Sequence, residues 1–291
     1  MVGSKFVDLY KNIYQIIAPN YPDFDLTDPE NVKRQIENVN PDVIIHFAAY
    51  TNVTEAENQR NNENGDAWKV NVTGTENLVK SIDPGKCHFI HISTDYVFPE
   101  SEESPGPSAE NQKPEENADK LTWYGYTKKV AEDMVYKYLG ENKTILRLIY
   151  PVRAGFPEKL DYLRKPLSLF DQGKLYPMFK DQQVTITFVD GACLALEKII
   201  EGKIYGIFHA STPDTSTPYE LVSYLIEKVR NVKDAVKPVL VDEFIKVTGN
   251  SPLRYPKFGG LKVELTEKAL GMKFSPWKKV IETLISQGIG N

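Results

Sequence analysis

Long apolar runs that do not alternate with polar residues constrain this chain most. The clearest is "PDVIIHFAAYT" (41–51), which is largely apolar at consecutive positions. A strand with one wet face alternates, whereas a strand apolar throughout is covered on both faces, as in a parallel sheet flanked by helices. "YQIIAP" (14–19), "HFIHIS" (88–93), "TILRLIY" (144–150) and "YGIFHAS" (205–211) share this character and are expected to be buried strands. Helical patterns fall between them. Phe6, Val7 and Tyr10 share one side of a helix over 3–12. "DLTDPENVKRQIENVN" (25–40) starts with Thr27 or Asp28 as N-cap and Pro29 in the first turn. A long helix over 62–82 carries Ala67, Val70, Asn71, Gly74 and Leu78 at helical spacing. Gly74 there costs about 1 kcal/mol against alanine, which points to a close contact on that face. "LTWYGYTKKVAEDMVYKYL" (121–139) is a further amphipathic helix. Strands alternating with helices predict βαβ units and a parallel sheet, with ligands bound beyond the carboxyl ends of its strands.

The rhythm changes after residue 150. "PVRAGFPEKLDYLRKPL" is basic and broken by proline, "TITFVDGACLALEKIIEG" returns to a helix, and helices over 218–230 and 276–287 lie among irregular segments. The expected division is a cofactor-binding domain over 1–150, rejoined by 184–210, and a smaller lobe from 151–183 and 211–291. Residues 99–120 are rich in Glu, Pro and Ser and read as a solvated loop, with a cover over the strand ends as the alternative, since they connect a strand to a helix. A net charge of −5 argues against a broad nucleic-acid or acidic-membrane footprint. Cys87 and Cys193 are far apart and in no C-x-x-C pattern, so they read as small buried hydrophobes in a reducing, cytoplasmic setting. His46, His88, His91 and His209 lack metal-site spacing, and no metal is expected.

Tyr124 and Lys128, four apart on one helix, share a face. Free tyrosine titrates near ~10, and a neighbouring ammonium favours the phenolate, so the pair can move a proton to or from a carbonyl or alcohol. A solvated surface pair is the competing reading, since the chain has two other Y-x-x-x-K matches, Tyr176/Lys180 and Tyr224/Lys228. Only the first follows an apolar strand ending in hydroxyls, "HISTD", which offers Thr94 to a substrate oxygen.

Context decides between them. "DLTD" (25–28), "FAAYTNVTEAE" (47–57), "NVTGTENL" (71–78), "STDYVF" (93–98), "YGYTK" (124–128), "RLIYP" (147–151), "DQQVTITFVD" (181–190) and "LRYP…LTEKALGMKFSPWKKVIETL" occur in order. Together they resemble the extended short-chain dehydrogenase/reductases and, more narrowly, the dTDP-4-dehydrorhamnose reductase family, over the whole chain. The resemblance implies a Rossmann-like doubly wound parallel sheet with a smaller C-terminal substrate lobe. It implies NADPH- or NADH-dependent reduction of a nucleotide-diphosphate 4-keto-6-deoxy sugar. Another sugar-nucleotide reductase or epimerase remains open, as does a non-catalytic subunit resembling the regulatory subunit of methionine adenosyltransferase.

By that resemblance, Tyr124 is the general acid, Thr94 bonds the same keto oxygen, and Lys128 tunes Tyr124 and holds the nicotinamide ribose. Gly3, Asp25, Leu26, Ala48, Ala49, Tyr50, Asn71, Ser93, Tyr150 and Pro151 line the cofactor. Asn71 reads equally as a buried helix polar group. Thr51, Val53 and Arg153 approach the sugar nucleotide, though Arg153 also fits a solvated basic face. The partner expectations are a nucleotide-sugar substrate, no nucleic acid, no membrane, and a homodimer as candidate assembly. The chain departs from the family where Thr54 replaces an aspartate, where "RLIYPVRAG" lacks a tryptophan, and where Gly191 replaces a common aspartate. These changes fall on the substrate side.

The family begins strand–G-x-x-G-x-x-G–helix, and Met1-Val2-Gly3 matches the last three loop positions. The resemblance therefore implies a truncated start, short of its first strand and two glycines, roughly 8–12 residues. Weak cofactor binding follows, with 14–18 and 88–93 left facing a gap.

Overall fold

The computed structural model describes residues 1–290. Its main sheet has four parallel strands, β1 (Val43–His46), β2 (His88–Thr94), β3 (Thr144–Leu148) and β4 (Gly206–Ala210), side by side in that order. Side-chain alternation splits each strand between two cores. Ile90, Leu146, Leu148 and Phe208 face helices α1 (Val2–Tyr10) and α5 (Val189–Gly202). Phe89 and Ile145 face α2 (Pro29–Val39), α3 (Gly74–Lys80) and α4 (Trp123–Leu139). Burial on both faces is why these strands are apolar throughout.

Local signals set the helix ends. Asp28 caps α2 through bonds from Glu30 N and Asn31 N, with Pro29 in the first turn. Thr122 caps α4 by accepting from Gly125 N. The long helix expected over 62–82 is helical from Asp66 to Lys80 and contains a π-helical turn over Lys69–Thr73. Gly74 packs on Leu26, where an added Cβ would sit 3.0 Å from the Leu26 Cβ. A third core unites α6 (Pro218–Arg230) and α7 (Trp277–Ser286) with Val152, Leu163, Leu167 and Ile186.

Three expectations are corrected. Residues 14–19 are not a strand: they are irregular, and Ile17 is 57% exposed. An apolar run without a ladder partner has no reason to extend. The expected gap beside 88–93 is also absent, because β2 lies between β1 and β3; the open edges of the sheet belong to β1 and β4. Residues 99–120 are not simply a solvated loop. Gly106 N donates to Phe258 O (2.7 Å), Ser108 N to Gly260 O (2.8 Å) and Lys262 N to Ser108 O (2.8 Å). The Glu110 carboxylate accepts from Thr266 N and Oγ1, and Glu100, Ser108 and Glu110 are buried. The segment is a strap tying the end of β2 to residues 258–266.

No helix among the described residues is long and apolar enough to cross a membrane. Both cysteines are free and buried, and burial pushes the thiols up, to about 11 for Cys87 and about 12 for Cys193.

Candidate active site

The carboxyl ends of β1, β2 and β3 and the first turn of α4 meet at one place. β2 delivers Ser93, Thr94 and Asp95, β3 is followed by Tyr150, and α4 opens with Tyr124. The approach of α4 is set by Gly125, where an added Cβ would lie 2.2 Å from the Tyr96 carbonyl oxygen. No other residue fits there without moving the helix, so glycine follows the tyrosine for a steric reason.

Thr94, at the end of β2, and Tyr124, in the first turn of α4, are close enough for the Thr94 hydroxyl to act on the phenol. Thr94 Oγ1 donates to Asp95 Oδ1 (2.8 Å) and accepts from Tyr96 N (3.3 Å). Desolvation pushes Tyr124 above its ordinary range, Asp95 pushes the same way, and Thr94 opposes. The expected lowering of Tyr124 by Lys128 is not what this arrangement produces. Lys128 Nζ instead donates to Ile92 O (2.8 Å) and meets His91 Nε2 at 3.1 Å. Helical spacing fixes the face of Lys128 but not where a four-carbon stem ends. Burial lowers Lys128 to about 7, and Glu132 opposes that shift. His91 is held neutral by burial, with Lys128 and His46 adding to the effect.

Asn71 binds both ways. Its Oδ1 accepts from Tyr50 N (2.8 Å), and its Nδ2 donates to Tyr50 O (3.2 Å) and Thr127 Oγ1 (2.9 Å). It is a buried helix polar group that also fastens the segment after β1 to α4. Tyr50 packs with Tyr124, Tyr126, Trp68 and Trp123. Gly3 lets the first turn of α1 settle on Phe47, whose ring is 3.0 Å from an added Cβ. Ala48 is exposed and Ala49 half-buried in the irregular segment between Phe47 and Tyr50. The hydroxyl of Ser93 is buried without a partner among the described residues.

Other expected residues are engaged elsewhere. Arg153 NH1 donates to Met1 O and Ser4 Oγ, both 3.0 Å, and its guanidinium lies over the Phe156 ring, so it ties the segment after β3 to α1. Asp25 accepts from Thr27 N and Oγ1, and Leu26 O accepts from Asn77 Nδ2 (2.9 Å). Thr51 is exposed and accepts from Lys159, while Val53 opens a short helix. Pro151 begins a two-residue strand paired with Thr187–Phe188.

Sequence reasoning overlooked Asp95, Tyr96, Glu100 and Tyr162. Tyr96 stands edge-on to Tyr124 (centroids 5.9 Å), and Tyr150 stacks on Tyr162 at 4.1 Å. Tyr150 adopts φ +39, the left-handed region that a tyrosine rarely occupies. Asp95 and Glu100 are 3% and 1% exposed, and desolvation pushes both carboxyls upward. The signal was present: Asp95 and Tyr96 are the middle of "STDYVF". The arrangement brings two hydroxyls, Thr94 and Tyr124, together beside half-buried tyrosines. Such a pair can bind and protonate a carbonyl oxygen. A separate cavity of about 240 Å³, between 188–194 and 272–275, contains none of these residues.

The family described as RmlD substrate binding domain matches residues 1–289. A probable low-salt glycan biosynthesis reductase of Haloferax volcanii is 27% identical, over 85% of this chain and 78% of that protein. The dTDP-4-dehydrorhamnose reductase of Sinorhizobium fredii is 26% identical, over 93% of this chain and 88% of its own length. Among solved structures, dTDP-4-dehydrorhamnose reductase from Bacillus anthracis in complex with NADP superposes with a TM-score of 0.83. It is 22% identical and covers 98% of this chain and 95% of its own, a likeness of fold.

Proposed function

Since the chain belongs to the RmlD substrate binding domain family, we propose that it reduces the 4-keto group of a nucleotide-diphosphate 6-deoxy sugar with NADPH or NADH. The observation that carries this reading is the convergence of Thr94 and Tyr124 at the carboxyl end of the sheet, held there by Gly125. Relatives named as dTDP-4-dehydrorhamnose reductases support it.

The residues present fit a dinucleotide. The first turn of α1 has no side-chain cap, so its backbone N–H groups are free to meet phosphate. The orphan Ser93 hydroxyl and the segment from Ala48 to Tyr50 would hold the nicotinamide half, and Tyr150 and Pro151 would flank it. When bound, the nicotinamide supplies the hydride. Tyr124, kept neutral by burial, gives its phenolic proton to the keto oxygen, and Thr94 donates a hydrogen bond to that oxygen. Lys128 would leave His91 for the nicotinamide ribose. Asn71 holds Tyr50 and α4 in register. The lobe around α6 and α7 would receive the nucleotide, and the chain would act in the cytoplasm, alone or as a homodimer.

The test is a panel of nucleotide-linked 4-keto-6-deoxy sugars offered with NADPH and with NADH. Oxidation of the reduced cofactor with at least one sugar, abolished in Tyr124→Phe, is the expected result. No turnover on any sugar, together with co-purification of another enzyme, would replace this reading by that of a binding subunit.

A further inference from the structure

Thr94 has one proton to give, and it is already given wherever Asp95 is a carboxylate. A hydroxyl donates once and accepts twice. Thr94 Oγ1 donates to Asp95 Oδ1 at 2.8 Å and accepts from Tyr96 N at 3.3 Å. A carbonyl oxygen only accepts. While Asp95 is a carboxylate, the Thr94 proton is committed to a charge-assisted bond, and a keto group placed beside it finds a lone pair.

We infer that Asp95 is a positioning residue for ketone reduction: as a neutral acid it donates its own proton to Thr94 Oγ1 and turns the Thr94 proton toward the substrate carbonyl. This rests on the reductase reading above. The rearrangement makes and breaks no covalent bond. The acid proton stays on Asp95, the Thr94 proton stays on Thr94, and the two lone pairs of Oγ1 are filled by Asp95 O–H and Tyr96 N–H. The donor to the carbonyl is then available in addition to Tyr124.

The surroundings favour the neutral acid. Asp95 is 3% exposed and its nearest acidic neighbour is Glu100, itself buried, with Oε1 on Gly260 N (3.0 Å). The other titratable groups facing it are phenols: Tyr96 beside it, Tyr124 from α4, Tyr150 after β3 and Tyr162 from the second lobe. Among the described residues Arg254 is the cation that acts on this cluster, and it acts on Tyr96. No cation acts on either carboxyl among the described residues; desolvation is the leading influence on both and raises them, Asp95 adds to the rise of Glu100, and on Asp95 the Thr94 hydroxyl and the backbone N–H groups of Asp95 and Tyr96 oppose it without reversing it. Glu100 is held at φ +48, so the backbone is strained to bring this second carboxyl inward.

Two measurements test the assignment. The first is kcat/KM for NADPH-dependent reduction of the 4-keto sugar nucleotide between about pH 5 and about pH 9, a window that brackets a raised carboxylic acid. Wild type should fall about tenfold per pH unit on the alkaline side. Asp95→Asn, whose amide stays neutral and donates N–H to Thr94, should lose that limb, while Asp95→Ala should lower kcat roughly 10–100-fold at every pH. Retention of the wild-type limb by Asp95→Asn overturns the inference.

The second measurement needs neither cofactor nor substrate. The infrared carbonyl band of a buried carboxylic acid should be present in Glu100→Gln at low pH and disappear as pH rises. It should be missing from the Asp95→Asn/Glu100→Gln double variant. Its absence from Glu100→Gln at low pH means that Asp95 is ionised, and overturns the inference whatever the enzyme turns over. If wild type reduces no sugar while the band titrates as expected, the reductase reading fails and the proton on Asp95 stands.

Discussion

Helix α4 presents two buried polar clusters to the same sheet, and they are built on opposite plans. Toward its middle, Glu132 meets Arg147 of β3 in a two-pronged ion pair (2.9 and 2.7 Å), with both side chains essentially inaccessible. Arg147 also reaches His209 Nε2 (3.3 Å) and lies over Phe98, and His209 Nδ1 pairs with Lys262 O. Charge meets charge and the prongs are filled. At the N-terminal end, among the described residues, two carboxyls are buried without a cation, Ser93 Oγ is unpartnered, and Lys128 rests on a neutral histidine. A satisfied buried network holds a fold together. An unsatisfied one is retained because a ligand completes it or chemistry uses it.

Substitutions at the two ends should therefore fail in different ways. Tyr124→Phe should reduce turnover by roughly 10²–10⁴-fold, the range for a general acid, with an unchanged urea midpoint; a variant that still turns over at wild-type rate breaks the contrast. Glu132→Ala should do the reverse. It strands a buried guanidinium and should destabilise by about 3–5 kcal/mol in urea, with turnover per folded molecule nearly retained. A loss under about 1 kcal/mol would mean that Arg147 finds water.

Acid should expose the difference more gradually. Burial lowers His46 and His209 to about 3 and holds His91 well below its usual value. The unfolded chain takes up protons on these rings below about pH 6.5, and the folded chain does not. Stability should fall by several kcal/mol as pH drops from about 6.5 toward about 3. Asp95 and Glu100 act with the opposite sign, since their raised folded values erode stability as pH climbs through them. A denaturation midpoint measured against pH, showing no acid loss in wild type, would mean that the imidazoles reach water. The smallest effect belongs to a site in neither cluster. Thr217 and Glu220 form a capping box at α6, so Thr217→Ala should cost about 1 kcal/mol and leave turnover untouched.

What the sequence disclosed follows from the range of each interaction. β1 to β4 were legible because double-sided burial writes itself into consecutive residues. The positions of Thr94 at a strand end and Tyr124 at a helix start were legible from the apolar run and the amphipathic helix, while spacing alone left the pair one of three Y-x-x-x-K matches and only the resemblance singled it out. Residues 14–19 were misread because an apolar run says nothing of whether a neighbour exists to pair with it. Lys128 was placed on the correct face but aimed wrongly, since a long stem chooses between Tyr124 and His91 by local contacts. The acidic segment 99–120 is misjudged from composition: the groups that bind Glu100 and Glu110 lie 160 and 156 residues further on, beyond the reach of any local pattern.

That last separation has a consequence for how the molecule comes into being. Thr94, Asp95 and Tyr124 are synthesised well before Gly260 and Thr266, which receive Glu100 and Glu110 and leave the ribosome about 160 residues after them. A nascent chain of some 200 residues would carry the first three strands and helix α4, with the strap still loose and the acid pair still hydrated. Contacts so distant along the chain are slow to close. The site should therefore assemble after the sheet, as one of the last events in folding, and newly made protein should acquire its architecture before its chemistry.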